Sequence, residues 1–273
     1  MAARNRKPRP GPESASPAPR ARLPRLAAVA AVLALLAALL GWFLVGPTPA
    51  FAGPVRITLD PTTRYQTFRA WETTAIFDWP LPEVPLREAV YDHLFDVIGV
   101  SRLRVEVYAG AENTRTTFAD LFDKGETTDY LRLYRYQTVN DNDDPFLIEP
   151  AGFHFDDLDW RVENVWLPLK ARADARGLPF EFSLNYVAFT NQSQGGPYIH
   201  DRPEEFAEFV LAAFLHLKDK YGIVPDALEP ILEPDNIAQW TPEKFALAVA
   251  AVTRRLTAAG FAPRLILPST TSA

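Results

Sequence analysis

Apolar side chains recur along this chain with three different spacings. From Leu26 to Val45 they are nearly continuous, in twenty uncharged residues (LAAVAAVLALLAALLGWFLV). A helix of that length can just cross the hydrocarbon core of a bilayer. From Pro85 they recur at helix spacing, with Leu86, Val90, Leu94, Phe95 and Ile98 on one face and Gly99 ending the run. The same spacing predicts helices over Arg161–Arg176 and Pro203–Tyr221, the second capped by Asp201. It predicts another over Thr241–Ala259, with Pro242 in the first turn and Gly260 as the stop. Elsewhere the spacing falls to two. It predicts strands over Val55–Leu59, Gln66–Trp71, Arg102–Tyr108, Phe180–Val187, Ala227–Leu232 and Arg264–Leu267. Residues 109–160, rich in Asp, Asn and Thr, show neither spacing.

Strict strand–helix alternation is the pattern of an α/β domain with a parallel sheet and covering helices. Two architectures fit: an open doubly wound sheet, or a closed (β/α)8 TIM barrel. The open form usually carries a glycine-rich phosphate turn after its first strand. The chain has neither G-x-G-x-x-G nor G-x-x-x-x-G-K-[ST], which favours the barrel.

Charge divides the chain into three parts. Residues 1–25 carry seven basic groups and one acid, residues 26–52 carry none, and residues 53–273 carry 21 basic and 33 acidic groups. The basic stretch, rich in Pro, Ala and Ser, is expected to be disordered and to stay cytoplasmic while the rest is translocated. Ala50-Phe51-Ala52 suits signal-peptidase cleavage before Gly53, and an uncleaved anchor is the alternative. Either way the body is expected outside the cytoplasm, secreted or at the cell surface, touching membrane only through residues 26–45. An acidic body speaks against nucleic acid as a partner. With no cysteine in the chain, disulfides, thiolate nucleophiles and Cys-ligated metals are excluded.

In a parallel barrel, site residues lie at the carboxyl ends of strands. Reading those ends gives Trp71 and Glu72, then Arg104 and Glu106, then Asn185 and Tyr186, then Glu233, Asp235, Asn236 and Trp240. Acids, amides, an Arg and aromatics suit a carbohydrate partner: polar groups bond hydroxyls, and rings stack on the apolar faces of pyranoses. Period two places Glu229, Ile231 and Glu233 on one face, with Glu233 at the rim. A partly desolvated rim carboxyl is the kind of group that serves as a general acid.

Ile231-Leu232-Glu233-Pro234-Asp235-Asn236, followed by Trp240, resembles the Asn-Glu-Pro motif of clan A glycoside hydrolases, glycoside hydrolase family 30 in particular. Tyr65–Glu72, Gly99–Arg104, Pro179–Val187 and Lys220–Ile223 resemble further segments of that family, in the same order. The resemblance implies a (β/α)8 barrel that hydrolyses O-glycosidic bonds with retention, with Glu233 as acid/base. It implies that Arg104 orients a carboxylate and that Trp71, Glu72, Asn185, Tyr186, Asp235, Asn236 and Trp240 line the sugar site, without a cofactor or metal. Two departures stand out. Leu232 replaces an Asn that would bond the sugar. The family's nucleophile lies at a seventh strand, and no residue here matches it. With Ala273 just past a fifth strand, the expected fold is a partial barrel of about five βα units after a signal or anchor helix, seen as the amino-terminal part of the enzyme. A non-catalytic exported carbohydrate-binding protein on a degenerate barrel is the alternative.

Other constellations give less. The four His are scattered without H-E-x-x-H spacing. Asn140–Asp144 matches a calcium loop in composition, but it lacks the turn glycine and terminal Glu, and it reads as a solvated loop. Phe206, Phe209, Val210, Ala213, Phe214 and Leu217 form a stripe expected to pack on the sheet.

Overall fold

The computed structural model describes Ala34, Leu36 and residues 57–58, 60–65, 67, 70–75, 84–113, 135–190 and 197–271. The chain divides into two units, Met1–Gln66 and Thr67–Ala273. The basic segment 1–25, the cleavage pattern 50–52 and most of the apolar run 26–45 lie outside the described residues, and so does most of the expected Val55–Leu59 strand. No helix among the described residues is long and apolar enough to cross a membrane. In the first unit, Asp60 closes a turn. Its Oδ1 accepts from the Thr62 amide (2.9 Å) and hydroxyl (2.6 Å), and its Oδ2 accepts from the Thr63 hydroxyl (2.9 Å).

The second unit is α/β. Five parallel strands, β1 (Glu72–Thr74), β2 (Arg102–Tyr108), β3 (Glu181–Val187), β4 (Ala227–Glu229) and β5 (Arg264–Leu265), lie side by side in chain order. A doubly wound sheet would reverse its order at a switch point. Sequential order is that of consecutive barrel units, so of the two architectures left open by the sequence this one fits the barrel. The observed β1 starts just past the predicted Gln66–Trp71 strand, of which residues 66, 68 and 69 lie outside the described residues: Glu72, not Trp71, opens the pairing, opposite Arg102.

The helices fold where the apolar stripes predict, with local corrections. Helix α1 (Val84–His93) runs into a wider π turn (Leu94–Ile98) that Gly99 closes at φ 74°. The extra residue per turn rotates Ile98 out of the stripe, leaving it 48% exposed while Leu94 and Phe95 stay buried. The next helical stretch begins earlier than predicted, as α2 (Asp156–Arg161), a π turn (Val162–Trp166) and α3 (Leu167–Ala175). Pro168 has no N–H for the carbonyl four residues before it, and the Tyr91 hydroxyl donates to Asn164 O at 2.9 Å. Helix α4 (Pro203–Tyr221) ends in a left-handed Gly222, with Ile223 N–H on Leu217 O at 3.1 Å. Its predicted cap is corrected. Asp201 makes no cap bond and instead accepts from Lys244 Nζ (2.7 Å), tying α4 to α5 (Pro242–Ala258). The side chain of Thr241 caps α5 by accepting from Lys244 N–H.

The predicted α4 stripe is the core. Phe206, Phe209, Phe214 and Leu217 are fully buried with Leu103, Val105, Phe182 and Leu184 from the sheet. Opposite this core face, β2 and β3 present their alternate, mostly polar residues. The 109–160 stretch, of which 114–134 lie outside the described residues, folds back over itself by close backbone contact. A β-carbon on Gly152 would lie 2.3 Å from Asp141 Cβ and 2.9 Å from its Cα. Gly152→Ala is therefore expected to destabilise the unit by about 1–3 kcal/mol, the usual range for overpacking, read as a lower urea midpoint at unchanged slope.

Candidate functional site

The parallel register sorts the side chains that face away from the helices into layers. The lowest holds Glu72, Arg102 and Glu181, the next Thr74, Arg104, Ser183 and Ala227, and the third Glu106, Asn185 and Glu229. Tyr108 and Val187 lie above. Glu72 accepts from Arg102 Nε at 2.5 Å, and Arg104 Nη1 lies 3.5 Å from Glu229 Oε2. Burial raises the Glu229 carboxyl above its ordinary range, against the pull of a Ser269 hydrogen bond and of Arg104, and the charge of Glu72 adds to the rise. Thr74 Oγ1, Arg104 Nε, Ser183 Oγ and both side-chain polar atoms of Asn185 are buried on this face without a protein partner.

Strand β4 stops early for a covalent reason. Asp226 N–H bonds Phe182 O at 2.8 Å, so period two brings residue 230 to the carbonyl of Tyr186. Pro230 has no N–H, and Leu232 donates there instead at 3.0 Å. The alternation is lost across this slip. Ile231 joins the core under the helices, while Leu232 packs on Tyr108, Tyr136 and Val187. The predicted shared face of Glu229, Ile231 and Glu233 is therefore corrected. Glu229 lies in the polar layers, and Glu233 sits past the slip, bonded through its N–H to Ser269 O at 3.0 Å.

Glu233 is the one non-glycine residue with positive φ among the described residues (φ 50°, ψ 57°). This left-handed corner turns the chain into the short helical turn Pro234–Asn236, whose Asn236 donates from Nδ2 to Glu233 Oε2 at 3.0 Å. Asp235 accepts from the Thr271 amide (3.0 Å) and hydroxyl (2.8 Å), pinning this turn to the segment after β5. Beside it opens a cavity of about 380 Å³ walled by Pro234, Trp240, Pro242, Phe245 and Pro268.

The structure thus gathers Glu233, Asp235, Asn236 and Trp240 around the end of β4. The other expected site residues lie elsewhere. Arg104 and Asn185 are on the polar face but below, in the second and third layers. Trp71 and Glu72 are at the opposite, amino-terminal end of the sheet, because β1 begins at Glu72. Tyr186 points to the helix side and is fully buried against Phe206 and Phe209, since period two separates it from Asn185.

Tyr186 nonetheless connects to the group around Glu233 through a buried chain absent from the sequence reading. Trp240 Nε1 donates to Tyr198 Oη (2.8 Å), Tyr198 Oη lies 3.1 Å from Tyr186 Oη, Tyr186 Oη 2.7 Å from His200 Nδ1, and His200 Nε2 2.6 Å from Glu112 Oε2. Glu112 also accepts from Asp141 N–H through Oε1 at 3.2 Å. Glu205 and Glu208, buried on the first turns of α4, lie near enough for their charges to act on one another. Burial, with the charges of Asp141, Glu112 and Glu205, pushes the Glu208 carboxyl up to about 8. Partners 88 residues apart in sequence leave no local signal for this group. Among the described residues, no set of three or more His, Cys, Asp or Glu is placed to hold a metal ion.

Two outcomes follow. A left-handed corner strains any β-carbon by about 1–2 kcal/mol, so Glu233→Gly is expected to unfold at higher urea than Glu233→Ala. The raised Glu208 carboxyl keeps its proton in the folded chain after the unfolded chain has lost it. Stability is then full below the unfolded Glu pKa of about 4.3 and declines as pH rises toward 8, by at most about 1.4 kcal/mol per pH unit. Denaturant titrations across pH 4–9 are expected to show this decline in the wild type and a flatter profile in Glu208→Gln.

No protein-family model matches this chain, and no curated protein matches it. Among solved structures the chain is similar to an endo-beta1,6-glucanase, with a TM-score of 0.41 and 16% sequence identity over 76% of this chain and 45% of that one. The chain thus spans less than half the length of that protein.

Proposed function

We propose that the group at the end of β4 is the acid/base side of a retaining glycosidase site, carried on an exported chain. One observation carries the reading: a carboxylate residue held in a strained left-handed corner at a strand end, directly before Pro234 and Asp235, which line a cavity with Trp240 and Phe245. Such strain persists only where surrounding bonds over-determine it, and here the Ser269 and Asn236 bonds hold Glu233. In this role Glu233 protonates the leaving oxygen and then activates water, while Trp240 supplies an apolar wall for a sugar ring. A retaining site needs a second carboxylate about 5–5.5 Å from the first, and none is assigned as nucleophile. Glu229, held by Arg104 lower on the polar face, adds negative charge there when ionised and a proton when neutral. Export through residues 1–52 belongs to the same proposal.

A second reading, a non-catalytic carbohydrate-binding protein, is favoured by Leu232. Its side chain packs against Tyr108, Tyr136 and Val187 and has no donor for a sugar hydroxyl. Turnover of a panel of aryl glycosides separates the two. In a protein that carries this chain together with a seventh-strand nucleophile, the glycosidase reading expects saturable hydrolysis with retained anomeric configuration by NMR, and a kcat lowered about 10²–10⁴-fold in Glu233→Gln. Hydrolysis unchanged by Glu233→Gln would remove Glu233 from the chemistry. Oligosaccharide binding without turnover, weakened by Trp240→Phe and indifferent to Glu233→Gln, would establish the binding protein instead.

A further inference from the structure

The buried chain that ends at Trp240 has a direction, and one group sets it. An indole nitrogen can only donate. Trp240 Nε1–H therefore uses Tyr198 Oη as acceptor, which leaves the Tyr198 hydroxyl proton for Tyr186 Oη. The Tyr186 proton is then directed to His200 Nδ1, so that nitrogen must be bare and the proton of a neutral imidazole sits on Nε2. His200 Nε2–H closes on Glu112, which accepts as a carboxylate. Four successive bonds run one way in this arrangement, from an obligate donor at Trp240 to a side-chain oxygen of Glu112, among Tyr186 and His200 at 0% exposure and Glu112 at 1%. The groups come from the segments after β2 (Glu112), before α4 (Tyr198, His200) and before α5 (Trp240), with Tyr186 on β3 itself.

We propose that Glu112 and His200 are positioning residues for Trp240, acting through Tyr186 and Tyr198 to hold the indole as the wall of the cavity beside Glu233. The consequence for sugar binding rests on the reading of that cavity as the sugar site, but the coupling from Glu112 to the indole does not. Glu112 touches His200 and Asp141 and reaches Trp240 only through three intervening side chains. Removing its acceptor oxygens leaves His200 Nε2–H buried without a partner. A buried orphan donor is costly enough to drive the proton to Nδ1 or swing the ring. Either change takes the acceptor away from Tyr186, and the reversed or opened chain no longer offers Tyr198 Oη to the indole in the same way.

The test uses the indole N–H cross-peaks of the chain's six Trp residues in a proton–nitrogen NMR spectrum, with the Trp240 peak identified by its loss in Trp240→Phe. Glu112→Leu removes both acceptors. Glu112→Gln removes the charge and loses the Asp141 link, but keeps one oxygen for His200. The expected result is a displaced Trp240 indole peak in Glu112→Leu and a near-native one in Glu112→Gln. Affinity for an oligosaccharide that the wild type binds is expected to fall about fivefold to tenfold in the first variant only, the equivalent of one hydrogen bond. An unmoved Trp240 peak in a folded Glu112→Leu, or equal displacement in both variants, overturns the proposal. If Glu112→Leu does not fold, the imidazole nitrogen shifts of the wild type decide. A neutral His200 with its proton on Nε2 supports the chain as drawn, and a proton on Nδ1, alone or with a second on Nε2, sinks it. A wild type that binds no sugar while the indole peak responds as expected refutes the sugar site and leaves the coupling standing.

Discussion

The seven-residue parallel register between β2 and β3, from Arg102 opposite Glu181 to Tyr108 opposite Val187, is the constraint on which the rest of the second unit depends. A parallel pairing commits every side chain on both strands to one of two faces and to one height. Leu103, Val105, Phe182 and Leu184 go under the helices, and Arg104, Glu106, Ser183 and Asn185 go to the polar side. The neighbours take their heights from this pair. Glu72 is at the bottom because it pairs with Arg102, and Glu229 is in the third layer because it pairs with Asn185. The one place where the pattern escapes is Pro230. A missing N–H there breaks the ladder and releases the chain into the turn that carries Glu233.

Burying charged groups is costly unless they are paired or hydrogen-bonded. Arg161 shows how. Fully buried, it donates to Asp157 Oδ1 (2.8 Å), Ala75 O (3.0 Å) and Tyr108 Oη (3.2 Å), joining α2 to the ends of β1 and β2. The Tyr108 hydroxyl donates a hydrogen bond to Glu106, and the Arg135 guanidinium lies 3.6 Å above its ring. The Glu112–His200 chain applies the same rule further along the sheet. There a carboxylate receives the last of a run of donated protons and needs no cation. Glu208 follows the other course, keeping its proton among carboxylates with which it cannot share a negative charge.

Much of the fold was legible because its signals are local. The α4 stripe, Pro242 at the start of α5, the glycines at 99 and 260, and the alternation of β2 and β3 each act within a few residues. The misplacements have physical causes outside that range. A π turn rotated Ile98 outward, Lys244 drew Asp201 away from its cap, and the pairing with Arg102 set the start of β1 at Glu72. Of the candidate site residues, Glu233, Asp235, Asn236 and Trp240 lie together because proximity along the chain puts them on one turn and its continuation. It failed for Trp71 and Glu72, whose height depends on another strand, and for Tyr186, whose neighbour Asn185 must face the other way.

The sequence by itself determined most strands and helices of the second unit, its parallel α/β class, the core stripe and a strand-end carboxylate followed by Pro, Asp and Asn, because periodicity, caps and covalent limits are properties of neighbouring residues. The tertiary structure alone decided the order of the strands, the height and face of each polar side chain, the left-handed corner at Glu233 and the path from Glu112 to Trp240. These depend on which distant groups meet. Hydrogen bonds and charge pairs act over a few ångströms in space, whatever the distance along the chain.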